Sequence, residues 1–159
     1  MNDITWTLVI DVVNRVQQSI RMTDYPAIVI LDADRRQILS DYDYVHGEHT
    51  RVDFETRAAD RARALHARRF TLAVPQIIEM RPDGLQAHPF SVRPLRDGEQ
   101  ECVVWTAYDA TDGVDYGWAP HSRRPDGQPV FDEPSTFHLP ARPGDGFPGL
   151  RLLQLLTDE

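Results

Sequence analysis

Residues 70–120 read FTLAVPQIIEMRPDGLQAHPFSVRPLRDGEQECVVWTAYDATDGVDYGWAP, and the reading of this stretch decides the fold. Apolar, β-branched runs alternate with three turn signals, Pro82-Asp83-Gly84, Arg96-Asp97-Gly98 and Asp109 to Gly113. Glycine supplies the positive φ of tight turns, and aspartate bonds its own backbone there. Extended segments joined by turns this short pair with their neighbours, so the stretch predicts an antiparallel meander of three or four strands. Pro75 interrupts the first strand. A residue with no amide proton predicts an edge position or a bulge.

Before the meander, Trp6, Val9, Ile10, Val13, Val16 and Ile20 recur at helical spacing, and Asn2 or Asp3 offers an N-cap. The spacing predicts a helix over 3–22. Pro26 then opens the apolar run AIVIL, Asp32 to Arg36 reads as a turn, and QIL continues extended, which is a hairpin signal. Strict alternation in Asp41-Tyr42-Asp43-Tyr44 extends the second strand, with the tyrosines on one face. A second helix is predicted over 53–69, capped by Asp53, with Phe54, Ala58, Ala62 and Leu65 as its apolar stripe.

After the meander the composition shifts. Residues 120–149 hold seven of the twelve prolines, which excludes regular helix and central strand there. Val130, Phe131, Phe137, Leu139 and Phe147 give this segment something to bury. GLRLLQLL then supplies five leucines near the end. The reading is therefore an α+β core domain over 1–120. Residues 121–159 read as a Pro/Gly-rich wrap and leucine-rich tail of the same domain, an ordered wrap being favoured over a mobile arm, with residues 130–156 docked on their own domain or on a second copy.

The resulting order is helix, two strands, helix, then three or four strands, mainly antiparallel with the helices on one face. With AIVILDADRRQIL in the place of the first hairpin, this order resembles the layout of PAS-like, profilin-like and roadblock-like domains. The resemblance covers residues 3–110, in topology only, and implies ligand sensing or partner binding. A cone-shaped NTF2-like sheet is the competing arrangement.

Composition narrows the chemistry. The formal charge of −8 argues against broad nucleic-acid binding, which needs a basic surface. All 17 basic residues are arginine, so no mechanism that needs a lysine is available. Cys102, the one cysteine, forbids an intrachain disulfide, and its place in the apolar run CVVW reads as a buried structural thiol. No apolar run approaches the ~20 residues that span a bilayer. The N-terminus lacks a signal-peptide pattern. A cytoplasmic protein without a membrane partner is expected.

Four groups could carry function. Asp32 and Asp34 form a DxD at a strand end, a pattern that can hold a divalent cation or accept a phosphoryl group. Haloacid-dehalogenase-like phosphatases begin this way, but they also need a later lysine and a parallel sheet; an Asp-rich turn explains the pair as well. His46, Glu48 and His49 are the densest cluster of ligand types, at a spacing that matches no zinc motif, on an expected polar loop; a metal there would need a further ligand such as His88 or His121. Arg57, Arg61 and Arg68 fall on one face of the second predicted helix and could meet an anion or an acidic partner. Tyr42, Tyr44, Trp105, Tyr108, Tyr116 and Trp118 lie on three extended segments and could line a ligand pocket or partner surface, or fill the core.

These features favour a non-catalytic binding or regulatory module that meets a protein partner, a second copy of itself or a small ligand, with no bound metal or cofactor. A small metal- or His-dependent hydrolase using His46, Glu48 and His49 is the first alternative. A phage or assembly structural protein is the second.

Overall fold

A computed structural model describes residues 1–91, 93–137 and 147–158. Helix α1 spans Asp3–Arg21. Asn2 caps it, its side chain accepting from the Thr5 amide at 2.8 Å. Leu8, Val9, Val12, Val13, Val16 and Ile20 are its buried face. Four of the six are valines, poor helix formers. Burial of the stripe, not propensity, holds this helix.

Strands β1 (Ala27–Asp32) and β2 (Gln37–Asp41) form the expected hairpin. The chain then passes through a one-turn 3-10 helix, Tyr44–His46, into α2, Glu48–Leu65. Strands β3 (Arg69–Arg81), β4 (Gly84–Pro89), β5 (Glu99–Asp109) and β6 (Gly113–Arg123) make the meander. Short strands β7 (Pro129–Phe131) and β8 (Ser135–Thr136) and helix α3 (Leu150–Thr157) follow. The sheet order is β2-β1-β3-β5-β6-β7, with β4 on β3 and β8 on β6, and every pairing is antiparallel. The α+β class and the element order are as read from the sequence. Among the described residues, no helix is long and apolar enough to cross a membrane.

Several details are corrected. The helices do not share one face. α1 packs on Ile28, Ile30, Ala73, Val103, Trp105 and Ala107, whereas α2 packs on Ala27, Val29, Leu31, Phe70, Leu72 and Val74. Every position from Ala27 to Leu31 is buried, so β1 needs cover on both faces. Pro75 is neither at the sheet edge nor in a bulge; it sits in unbroken register with Val103 of β5, inside the sheet. On the other side of β3, β1 pairs only with Arg69–Ala73 and β4 only with Gln76–Arg81. Pro75 occupies the gap between them, where no partner asks for an amide proton.

The second helix starts and stops earlier than 53–69. Gly47 precedes its first turn, and His66 ends it in the left-handed conformation, φ 54°, with its amide on the Ala62 and Arg63 carbonyls. β2 stops at Asp41, whose carboxylate accepts the Asp43 amide at 2.7 Å and turns the chain. The two tyrosines therefore part: Tyr42 is 57% exposed and Tyr44 is buried.

The C-terminal region docks on its own domain where it is described. β6 runs through position 120, so the strand itself joins the core to the tail. Phe131 packs on the α1 cluster, and Phe137 and Phe147 pack on Ile78, Cys102 and Val104. Leu139 and the rest of 138–146 lie outside the described residues. Helix α3 lies against α2 with Leu152 fully buried and Leu153, Leu155 and Leu156 partly so. Arg63 of α2 donates to the Leu155 carbonyl.

A buried carboxylate fixes the start of α3. Glu55, on the apolar face of α2, has no exposed surface. It receives the Tyr44 hydroxyl at 2.6 Å and the Leu152 amide at 3.1 Å, so it caps the first turn of α3 from another helix. Burial pushes its carboxyl above the usual range. Bonds from Tyr44, Leu152 and Gly149, and the charge of Arg51, offset part of that rise. Gly149 permits the approach, with φ +90° and the Thr106 side chain within 2.9 Å of where a Cβ would sit.

Candidate functional site

Strands β5 and β6 meet the end of α1 at a pocket of about 550 Å³. Tyr25 and Phe90, stacked at 4.0 Å, form one wall, and Pro94 and Leu95 continue it. Arg93, Gln100, Glu101, His121, Ser122 and Arg123 supply the polar lining. The β5–β6 register, with Cys102 opposite Pro120, places Glu101 across from His121. His121 in turn pairs with Phe131 of β7, whose ring meets the imidazole edge-on at 5.1 Å.

His121 is the unusual member. Its side chain is 1% exposed, yet neither ring nitrogen has a hydrogen-bond partner among the described residues. Glu101 comes within 3.8 Å of Nε2, too far for a hydrogen bond. That carboxylate is already held by Arg123, whose Nε donates at 2.9 Å. Burial lowers the pKa of His121; Glu101 and Asp132 oppose the shift and Arg123 adds to it. The shift favours the neutral ring, which carries one N–H and one lone pair. A buried polar group left unpaired costs about 1–3 kcal/mol, and such a group calls for an explanation.

The groups singled out from the sequence lie elsewhere. Asp32 accepts from Arg69 at 3.0 Å, and Arg69 also holds Asp109 at 2.5 Å. Asp34 is exposed in the β1–β2 turn. Glu48 and His49 lie in the first turn of α2 and not on a loop, and His46 ends the 3-10 turn. All three are exposed: His46 is 3.8 Å from Asp43 and Glu48 is 3.7 Å from Arg51.

Arg57 is tied to Asp41 at 2.7 Å and Arg61 to Gln37 at 2.6 Å, so both lock α2 onto β2. Arg68 lies beyond the end of the helix and does not share their face. The aromatics also divide. Trp105 packs edge-on to Trp6 on the α1 side. It lies across from Gly117, where a Cβ would come within 2.2 Å of the indole. Tyr44 and Tyr108 belong to the α2 side, and Trp118 joins a third cluster with Phe137. Tyr116 meets Phe147 at 5.4 Å. An odd separation along one strand puts Trp105 and Tyr108 on opposite faces.

One other set of ligand types converges: Glu79, His88 and Glu99, on three adjacent strands, bring one ligand atom each within 4.8 Å of one another. Arginine already occupies this set. Arg93 holds both oxygens of Glu99, at 2.7 and 2.6 Å, and lowers its pKa to about 2. Arg81 and His88 share Glu79 at 3.1 Å. The Cys102 thiol is buried and its pKa pushed up, chiefly by burial, so it is no nucleophile.

The sequence named His121 only as a conceivable further ligand for His46, Glu48 and His49, although a better signal was there. In Gly117-Trp118-Ala119-Pro120-His121 it shares strand parity with a glycine and an alanine, the core-facing set of β6. Comparison with known protein families, with curated proteins and with solved structures finds no match. The fold and the pocket are therefore the basis for a function.

Proposed function

We propose that this protein is a non-catalytic binding module whose small ligand enters the pocket between Tyr25, Phe90 and the β5–β6 strands. One observation carries the reading: a buried imidazole with two unpartnered nitrogens lines an open cavity. Pockets of about 300–1,000 Å³, largely apolar with a few fixed polar groups, are the usual form of small-ligand sites. The groups beside His121 favour binding over catalysis, because the Glu101 carboxylate is spent on Arg123 and His121 makes no hydrogen bond to a hydroxyl of the lining among the described residues. A cytoplasmic place accords with the buried free thiol.

A fragment set screened by NMR on protein labelled in its histidine rings tests this. Hits should move the His121 resonance and vanish in His121→Phe. If every hit moves other residues and leaves His121 untouched, the reading fails.

A further inference from the structure

The bonding state of the pocket wall defines the ligand more narrowly, on the premise that the pocket binds a small molecule. We infer that it takes a small planar acid: an aromatic ring bearing one carboxylate. The argument rests on which hydrogen-bonding groups are spent and which are not. The Glu101 carboxylate, the one anion in the lining, is taken by Arg123. Arg93 has five N–H donors, and its bonds to Pro94 and Glu99 use Nη1 and Nη2 only. Its Nε–H makes no bond to a described residue; the N–H of His121 lacks one too, but lies within the wall, out of reach of solvent.

The lining thus has a cationic donor to spare and its one charged acceptor committed, so it favours an accepting, anionic group on the ligand. A carboxylate is such a group, and it draws shorter, stronger bonds from guanidinium than a neutral carbonyl does. The lining carries two guanidinium groups against one carboxylate, in a chain whose net charge is −8. Glu99 sits behind Arg93 with 3% of its side chain exposed, so its charge is turned away from solvent. Phe90, Pro94 and Leu95, with Tyr25 stacked on Phe90, offer a flat apolar wall for a ring.

An anion seated here would also change the protonation of His121. The charged groups that face the ring are Glu101 on β5, Arg123 on β6 and Asp132 after β7, while Arg21 of α1 lies across Phe131. A further negative charge among them favours the imidazolium.

The experiment uses the full chain with four probes: benzoate, benzamide, benzylamine and acetate. Affinity is read from the His121 ring resonance, and the titration of the ring is followed with each probe present. Benzoate should bind at least about tenfold more tightly than benzamide, and benzylamine should be weaker still. Benzoate should raise the titration midpoint of His121, and benzamide should leave it in place. Acetate, without a ring, should bind at least about tenfold more weakly than benzoate. Arg93→Gln should lower benzoate affinity about tenfold and spare benzamide. If Arg93→Gln fails to fold, the probe ranking and the titration shift on the unaltered chain still decide.

Benzamide or benzylamine matching benzoate at His121 would overturn the acid and leave the pocket standing. Benzoate failing to move His121 while other fragments do would have the same result. If no fragment of any charge moves it, the pocket reading fails as well.

Discussion

Glu55 and His121, two of the buried ionisable side chains, have opposite fates. Glu55 is closed off on the α2 face with its carboxylate bonded to Tyr44 and Leu152. His121 is buried in a pocket wall, and neither ring nitrogen has a bond among the described residues. A satisfied buried group joins elements together, and here it ties helix α3 to helix α2. An unsatisfied one weakens the fold unless something else uses it. The contrast teaches that burial alone does not separate structure from function; the count of partners does.

The largest effect should come from removing what Glu55 holds. Truncation before Gly149 uncovers the α2 surface on which α3 packs and removes the Leu152 amide from the Glu55 carboxylate. It should lower the melting temperature by more than any substitution below, as read by calorimetry. Glu55→Ala should cost roughly 3 kcal/mol, or about 10 °C, because the Tyr44 hydroxyl and the Leu152 amide lose their acceptor. Glu55→Gln, which keeps an acceptor for Leu152, should cost less. If Glu55→Ala melts with the unaltered chain, Glu55 does not join the helices.

His121→Phe should act in the opposite direction. A ring of similar shape without polar atoms removes the unmet demand, and Phe131 already offers an aromatic contact. Chemical denaturation should show a gain of roughly 1 kcal/mol. A loss of that size would mean that the imidazole makes bonds that support the fold.

The smallest effects are the pH dependences, which differ in sign. The folded-state pKa of Glu55 is raised, so the native state holds its proton more tightly than the unfolded chain. From the unfolded value near ~4.3 upward, its contribution to stability falls as pH rises through the folded value. The folded-state pKa of His121 is lowered, so the unfolded chain takes the proton first. Its contribution is whole above the unfolded value near ~6.5 and is lost as pH falls toward the folded value. Denaturation curves at several pH values should show that Glu55→Gln removes the first slope and His121→Phe the second.

The sequence discloses these two sites to different degrees. Hairpins and α1 are legible because their periodicity and turn residues are local. The division of the helices between two faces was encoded in AIVIL, a run apolar at every position, which calls for cover on both sides of the sheet. Pro75 could not be placed, since the gap it fills is created by two strands far from it in sequence. Glu55 sits three and four residues before Ala58 and Ala59, inside the apolar stripe, yet a lone Glu among the charges of α2 reads as solvated. What caps α3 is 97 residues away from the group it bonds. The expected clusters drew notice by density, as in His46-Gly47-Glu48-His49, and density in a turn is what exposed polar chain provides.

The most direct test of the account is the titration of the His121 ring in the free protein, followed by NMR of its labelled nitrogens. The account predicts a neutral, unbonded ring at pH 7 and a midpoint below the ordinary ~6.5. A ring that titrates above that value, with nitrogen shifts of an imidazolium bonded to Glu101, would make the pair a closed structural ion pair and contradict the binding site.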